Sequence, residues 1–239
     1  IVGTTDTPVE HPDIEPLARE EEIDFVLQHI RDYLTKEPMY ADIRSVFCGL
    51  RPLMKGAGKT AALSRDHQIT VSESGLISIT GGKWTTYRRM AEDTVNIAVQ
   101  RADLPMTPSV TAALPIHGYQ EETDFESVLY YYGTDKEHIL AMVKDEPSLG
   151  EQIHDHFPYI KAEIDWAVKE EMCMMIEDFL ARRSRMLFLD AKASLEAAPL
   201  VAQLMAKLLH KDEAWIRQQV DAYNHLVKNY LPTDKSTHA

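Results

Sequence analysis

Leu76-Ile77-Ser78-Ile79-Thr80-Gly81-Gly82-Lys83-Trp84-Thr85-Thr86-Tyr87-Arg88 decides the fold class of this chain. Apolar and polar residues alternate up to Thr80, the period of a strand, and two glycines then pass the chain into a helical pattern. Upstream, His67 to Val71 alternates in the same way, with Ser72-Glu73-Ser74-Gly75 between the two runs, so a hairpin with a glycine-containing loop is expected. Downstream, from about Thr85, Met90, Ala91, Val95, Ala98 and Val99 share one stripe of a helix that must end before Pro105. Glycines let a group approach the backbone closely, and the start of a helix offers unpaired N–H groups. The corner therefore suits an anionic or electron-rich ligand. An ordinary strand-to-helix corner, with glycines serving only tight packing, reads the same residues and, taken alone, they favour it.

Working outward, Ile1-Val2-Gly3-Thr4-Thr5 reads as the end of a buried strand whose beginning is missing, so the chain is expected to be part of a longer polypeptide. Pro8, Pro12 and Pro16 form an extended connector. A helix follows, with Ile23, Val26, Leu27, Ile30, Tyr33 and Leu34 at helical spacing and Glu20-Glu21-Glu22 in an early turn where the dipole favours them. Ile43 to Leu53 reads as a strand ending in Gly49-Leu50-Arg51-Pro52. Lys55-Gly56-Ala57-Gly58-Lys59-Thr60 is not a nucleotide loop, because the position that needs glycine is Leu53, and it reads as a connector. Pro105, Pro108 and Pro115 punctuate a linker, after which the pattern is almost wholly helical: Phe125 to Tyr132, Lys136 to Val143, Ala162 through Phe188, Ala193 to Leu209, and Asp212 to Tyr230 with Asp212 as its cap. The expected architecture is α+β: a partial β-layer with helices over 1–105, a linker over 106–120, and an all-helical domain over 121–239.

With 239 residues and 44% hydrophobic content the chain can hold two modest cores. Its net charge of −13 disfavours nucleic acid, which needs a basic footprint, but leaves an anionic small substrate open if local cations meet it. Arg51 and Lys83 are those cations. Arginine presents a planar fork of donors to phosphate or carboxylate, and lysine a compact charge. The bland alternatives are a structural ion pair for Arg51 and a solvated lysine for Lys83. Cys48 and Cys173 read as buried free thiols, hence a reducing, cytoplasmic setting, and no run is long and apolar enough to span a bilayer. Contact with a membrane surface stays open.

Three weaker clusters carry bland readings. His154-Asp155-His156 reads as a solvated turn and no metal is expected. Arg182-Arg183-Ser184-Arg185 pairs with nearby carboxylates or docks the two domains. Met172, Met174 and Met175 are core filler or adaptable interface packing.

Taken in order, Ile1 to Asp6, Glu20 to Tyr33, Gly49-Leu50-Arg51-Pro52-Leu53, Ser64-Arg65-Asp66 and Gly81 to Asp93 resemble successive blocks of the flavin-dependent glycerol-3-phosphate dehydrogenase/oxidase family. Ala162 to Val168 and Glu177 to Arg183 resemble the helical C-terminal domain of that family. The resemblance implies FAD as cofactor and oxidation of glycerol 3-phosphate to dihydroxyacetone phosphate, with electrons passing to quinone or oxygen. It puts Arg51 and Lys83 on substrate-binding positions, and Gly81, Gly82, Thr85 and Thr86 on the turn beside the isoalloxazine. Residues 1–105 would then be the remainder of an FAD/substrate domain. The family's Gly-x-Gly-x-x-Gly pyrophosphate site does not occur in this sequence, so the chain alone is expected to hold FAD weakly or not at all and to be inactive without its N-terminal FAD-binding portion. A peripheral site at the inner face of the cell membrane would suit quinone reduction. Two other readings compete: a helical docking module acting with a separate flavoprotein subunit, and an oxidase of another small alcohol or amine.

Overall fold

A computed structural model of the protein describes residues 1–51 and 66–232. The Lys55–Thr60 connector and the Ser64-Arg65 pair lie outside the described residues. The architecture is α+β, and the chain divides into two compact units. One comprises Ile1–Thr7, His11–Gly49 and the chain from Gly118 onward; the other comprises Pro8–Glu10 and Leu50–His117.

In the second unit, β1 (His67–Val71) and β2 (Ile77–Gly81) form the antiparallel hairpin that the alternation predicts. Its register pairs His67 with Gly81 and Val71 with Ile77. Ser72 closes the loop, its N–H donating to the Leu76 carbonyl at 3.0 Å while its hydroxyl accepts from the Leu76 N–H at 3.1 Å. A 3-10 turn at Trp84–Thr86 leads into α2 (Tyr87–Arg101). Asp103, in the left-handed region at φ 52°, ends α2 by letting the Leu104 N–H reach back to the Val99 carbonyl at 3.0 Å.

In the first unit, α1 (Glu20–Ile30) begins where Glu22 turns back on its own N-terminus. The Glu22 carboxylate accepts from the Arg19 N–H at 3.1 Å and from the Thr5 and Thr7 hydroxyls at 2.8 and 2.7 Å. These hydrogen bonds, that from Thr7 foremost, pull its carboxyl below the ordinary glutamate value against the opposing effect of burial.

Two strand expectations find no ladder in this unit among the described residues. Ile1–Thr4 is exposed with Thr5 half-buried, and residues 43–49 are extended without a partner strand there, a correction to the strand read from Ile43. The second segment bonds to the helical region instead. The Val46 N–H donates to Tyr230, the Arg44 carbonyl accepts from Ala191, and the Ser45 hydroxyl donates to Leu187. A β-pattern records only a half-buried extended chain, and helix ends satisfy it here as a second strand would.

The core belongs to α3 (Lys136–Asp145), α4 (Lys161–Glu170), a π-helical turn at Asp178–Arg183, α5 (Met186–Leu189), α6 (Ala191–Leu208) and α7 (Glu213–Val227). Ile164, Ile176, Phe179, Leu180, Met186, Val201, Met205 and Val227 form its centre. Asp190 and Asp212 cap α6 and α7, accepting from the Ala193 and Trp215 N–H groups at 3.0 and 2.9 Å. Inside, the Ser194 and Tyr223 hydroxyls pair at 2.5 Å, so neither buried oxygen is left dry. Among the described residues no side chain before Leu129 is fully buried.

Two helix expectations change. The single helix read over Ala162–Phe188 breaks at Met172 (φ 55°) and again at Arg185 (φ 58°). At the first break the Arg183 guanidinium holds the Glu171 carbonyl at 2.5 Å and the Asp178 carboxylate takes the Met174 and Met175 N–H groups, both at 3.0 Å. The helix read over Phe125–Tyr132 is instead a run of turns ending in a 3-10 segment, Tyr130–Asp135. Gly133 dictates this: a Cβ there would lie 1.7 Å from the Gly118 carbonyl oxygen, so the chain must pass at backbone contact.

Candidate functional site

The Gly81 corner is built by local rules. Gly81 and Gly82 take φ values of 75° and 81°, which side-chain-bearing residues rarely adopt. Gly82 is also pressed from below, since a Cβ on it would meet the Met90 sulfur at 2.5 Å and the His67 Cβ at 3.4 Å. Lys83 then runs extended, and Thr86 locks it. The Thr86 hydroxyl accepts from the Lys83 N–H at 3.2 Å and donates to the Lys83 carbonyl at 3.0 Å, while the Thr86 N–H donates to that carbonyl at 3.0 Å. Trp84 and Thr85 open the helical turn, where N–H groups have no carbonyl ahead of them to bond.

The outcome is an open corner. Lys83, Trp84, Thr85, Thr86 and Tyr87 are exposed, with Trp84 87% accessible although its ring stacks on Tyr87 at 5.8 Å. Lys83 has no carboxylate partner among the described residues. Arg88 and Arg89, by contrast, are engaged: Arg88 pairs with Glu92 at 2.6 Å, and Arg89 with Glu92 at 3.3 Å and Asp93 at 3.1 Å. So of these three cations beside the glycines, Lys83 is the one without an ion pair among the described residues. Arg51 lies in the same unit on exposed extended backbone. A cavity of about 580 Å³ lies in the first unit against α1, and none of the six candidate residues lines it.

Sequence reasoning missed His67 and Asp93. The His67 Nε2–H donates to the Asp93 carboxylate at 3.0 Å, tying β1 to α2 beside the glycines. Setting the hairpin in register would have shown His67 opposite Gly81.

The remaining clusters resolve plainly. His154 accepts the His156 N–H on Nδ1 at 3.2 Å and donates from Nε2 to Glu196 at 3.2 Å, and the described residues contain no group of three metal-ligating side chains. Arg182 pairs with Glu177 and Asp178, and Arg183 with Glu171, as the charge pattern predicts. Met172, Met174 and Met175 sit exposed on the turn after α4 and are not core filler. Cys173 is buried and its thiol is pushed up to about 12 by that burial, whereas Cys48 is exposed.

A second polar cluster lies in the first unit. Glu163, 2% accessible at the start of α4, accepts from the Tyr131 hydroxyl, from the Tyr132 hydroxyl at 3.2 Å and from the Ile160 N–H at 2.7 Å. Burial pushes its carboxyl above the ordinary value, and burial beside that carboxylate pushes both tyrosine hydroxyls far up as well. Every polar atom here has a partner within the fold, so the cluster is a staple between the 130–132 turn and α4.

Comparison with known proteins shows the family, and the matched region includes the corner. The family model described as the C-terminal domain of alpha-glycerophosphate oxidase matches residues 74–216, which begin in the hairpin loop and take in Gly81 to Thr86. The mitochondrial glycerol-3-phosphate dehydrogenase of Homo sapiens is 36% identical over 92% of this chain, and that of Arabidopsis thaliana 31% identical over 99%. These matches occupy 33% and 42% of the relatives, so the chain spans less than half of their length. Both relatives are named as mitochondrial, and the cytoplasmic expectation drawn from the cysteines finds no support in them. A solved glycerol-3-phosphate dehydrogenase from Bacillus halodurans, complexed with FAD, superposes with a TM-score of 0.76 at 25% identity, covering 97% of this chain and 49% of that one. With 143 consecutive residues (74 to 216 inclusive) under the family model, the chain belongs to the family of C-terminal domains of alpha-glycerophosphate oxidase.

Proposed function

We propose that this chain forms the substrate-facing C-terminal part of an FAD-dependent glycerol-3-phosphate dehydrogenase or oxidase. The observation that carries the reading is the Gly81–Lys83 corner: two side-chain-free residues followed by an exposed cation with no carboxylate partner among the described residues, inside the family-matched region. Oxidation removes a hydride from C2 of glycerol 3-phosphate and a proton from its hydroxyl, leaving the ketone of dihydroxyacetone phosphate. FAD, when bound, supplies the hydride acceptor, and its electrons go on to quinone at a membrane surface or to oxygen.

The residues fit one edge of that cofactor. Gly81 and Gly82 offer bare backbone, and Thr85 and Thr86 follow on an exposed turn, whereas no Gly-x-Gly-x-x-Gly is present for the pyrophosphate. Lys83 neutralises the substrate phosphate as a compact charge, and Arg51 orients it with a planar fork.

The test uses protein expressed from its complete reading frame. Purified protein is yellow and reduces a dye on addition of glycerol 3-phosphate. Lys83→Ala and Arg51→Ala each lower kcat/KM for glycerol 3-phosphate by roughly 10- to 100-fold, the scale of a lost charge-assisted hydrogen bond, and affect glycerol far less. Colourless, inactive protein, or equal losses on both alcohols, would sink the reading.

A further inference from the structure

The geometry points to His67, oriented by Asp93, as the positioning residue that sets where Lys83 stands, an inference that rests on the reading of Lys83 given above. Lys83 sits in a short passage between the end of β2 and the start of α2. The placement of such a passage is fixed by its two ends. The β2 end is held by the ladder, where Gly81 pairs with His67. The α2 side is held by Asp93, in the second turn of that helix, whose one oxygen receives the His67 Nε2–H at 3.0 Å and whose other forms an ion pair with Arg89 at 3.1 Å.

One imidazole therefore spans both ends. Its backbone is laddered to β2, its ring is bonded to α2, and its Cβ forms part of the floor under Gly82 together with Met90. The ring is partly buried, with side-chain accessibilities of 21% for His67 and 27% for Asp93, so water competes weakly for the bond. Neither residue touches the substrate in this scheme. They act through Lys83 and the threonine bracket that holds it.

Leucine at 67 keeps the apolar volume and removes the donor, and glutamine restores a donor on a flexible stem. In protein expressed from its complete reading frame, His67→Leu lowers kcat/KM for glycerol 3-phosphate about 10-fold with flavin content unchanged, because small misplacements of a positioning group cost one to two orders of magnitude. His67→Gln recovers most of that loss. The deciding measurement is a double-mutant cycle: in a Lys83→Ala background His67→Leu adds less than a further 2-fold, since the group it positions is gone. Full multiplicative loss in the double variant, or unchanged kcat/KM in His67→Leu alone, overturns the inference.

A second readout is independent of activity. On the 239-residue chain, His67→Leu speeds amide exchange at Lys83 and Thr86, which bracket each other, and leaves α6 unchanged. Unchanged exchange at those two amides also overturns it. If exchange responds while Lys83→Ala leaves oxidation intact, the positioning geometry is upheld and the phosphate role of Lys83 fails.

Discussion

Glu163 offers a sharp test of the helical unit. Replacing it with alanine strands three donors: the Ile160 N–H, the Tyr132 hydroxyl and the Tyr131 hydroxyl. Tyr131 is 44% accessible and can turn to water, so two donors count. At about 1–3 kcal/mol for each buried donor left unpaired, the expected loss is about 3 kcal/mol. For a unit of this size such a loss lowers Tm by roughly 12 °C. Thermal and urea unfolding of the 239-residue chain, followed by circular dichroism, reads both quantities.

The pH dependence follows from the direction of the carboxyl's shift. Burial holds the folded value above 4.5, and the hydrogen bonds from Tyr131, Ile160 and Tyr132 only partly offset it. Above 4.5 the folded state therefore keeps a proton that the unfolded chain has released. The stabilisation is complete below 4.5 and declines as pH rises through the folded value. Glutamine at 163 cannot titrate, so the stability of wild type relative to Glu163→Gln falls as pH rises from 4.5 through the folded value and is level above it. A flat difference would refute the desolvation argument. A loss below about 1 kcal/mol in Glu163→Ala would refute the claim that those donors have no alternative partner.

Two further outcomes are expected. Gly133→Ala brings a methyl to within 1.7 Å of the Gly118 carbonyl and forces alanine to φ 56°, so it should cost more than about 2 kcal/mol, measured by urea midpoint, whereas Gly75→Ala meets no atom within 4 Å and should cost less. Thiol titration at pH 8 should find one fast cysteine, Cys48, with Cys173 reacting only on denaturation because its thiol is both buried and pushed up to about 12; two fast thiols would contradict that assignment.

What was legible in the sequence was local. The hairpin over His67–Gly81, the corner that follows and the Asp212 cap are each written within a few neighbouring residues. Family resemblance then supplied the chemistry that local pattern left open. The illegible parts were set by distant partners. Nothing near Met172 marks a helix end, because the Glu171 carbonyl is held by a guanidinium twelve residues on. Nothing in Phe125–Tyr132 shows that Gly133 must lie against Gly118. The extended run from Ile43 carried a genuine β-pattern, yet its hydrogen bonds go to Leu187, Ala191 and Tyr230. The His67–Asp93 bond needed the strand register and the helix phase together.

The first fully buried side chain among the described residues is Leu129. Cooperative melting of the 239-residue chain is therefore owned by the helices that follow it, and the hairpin and the corner that carries Lys83 add little interior to be lost. A calorimetric transition of this chain would register those helices and hardly sense β1 and β2.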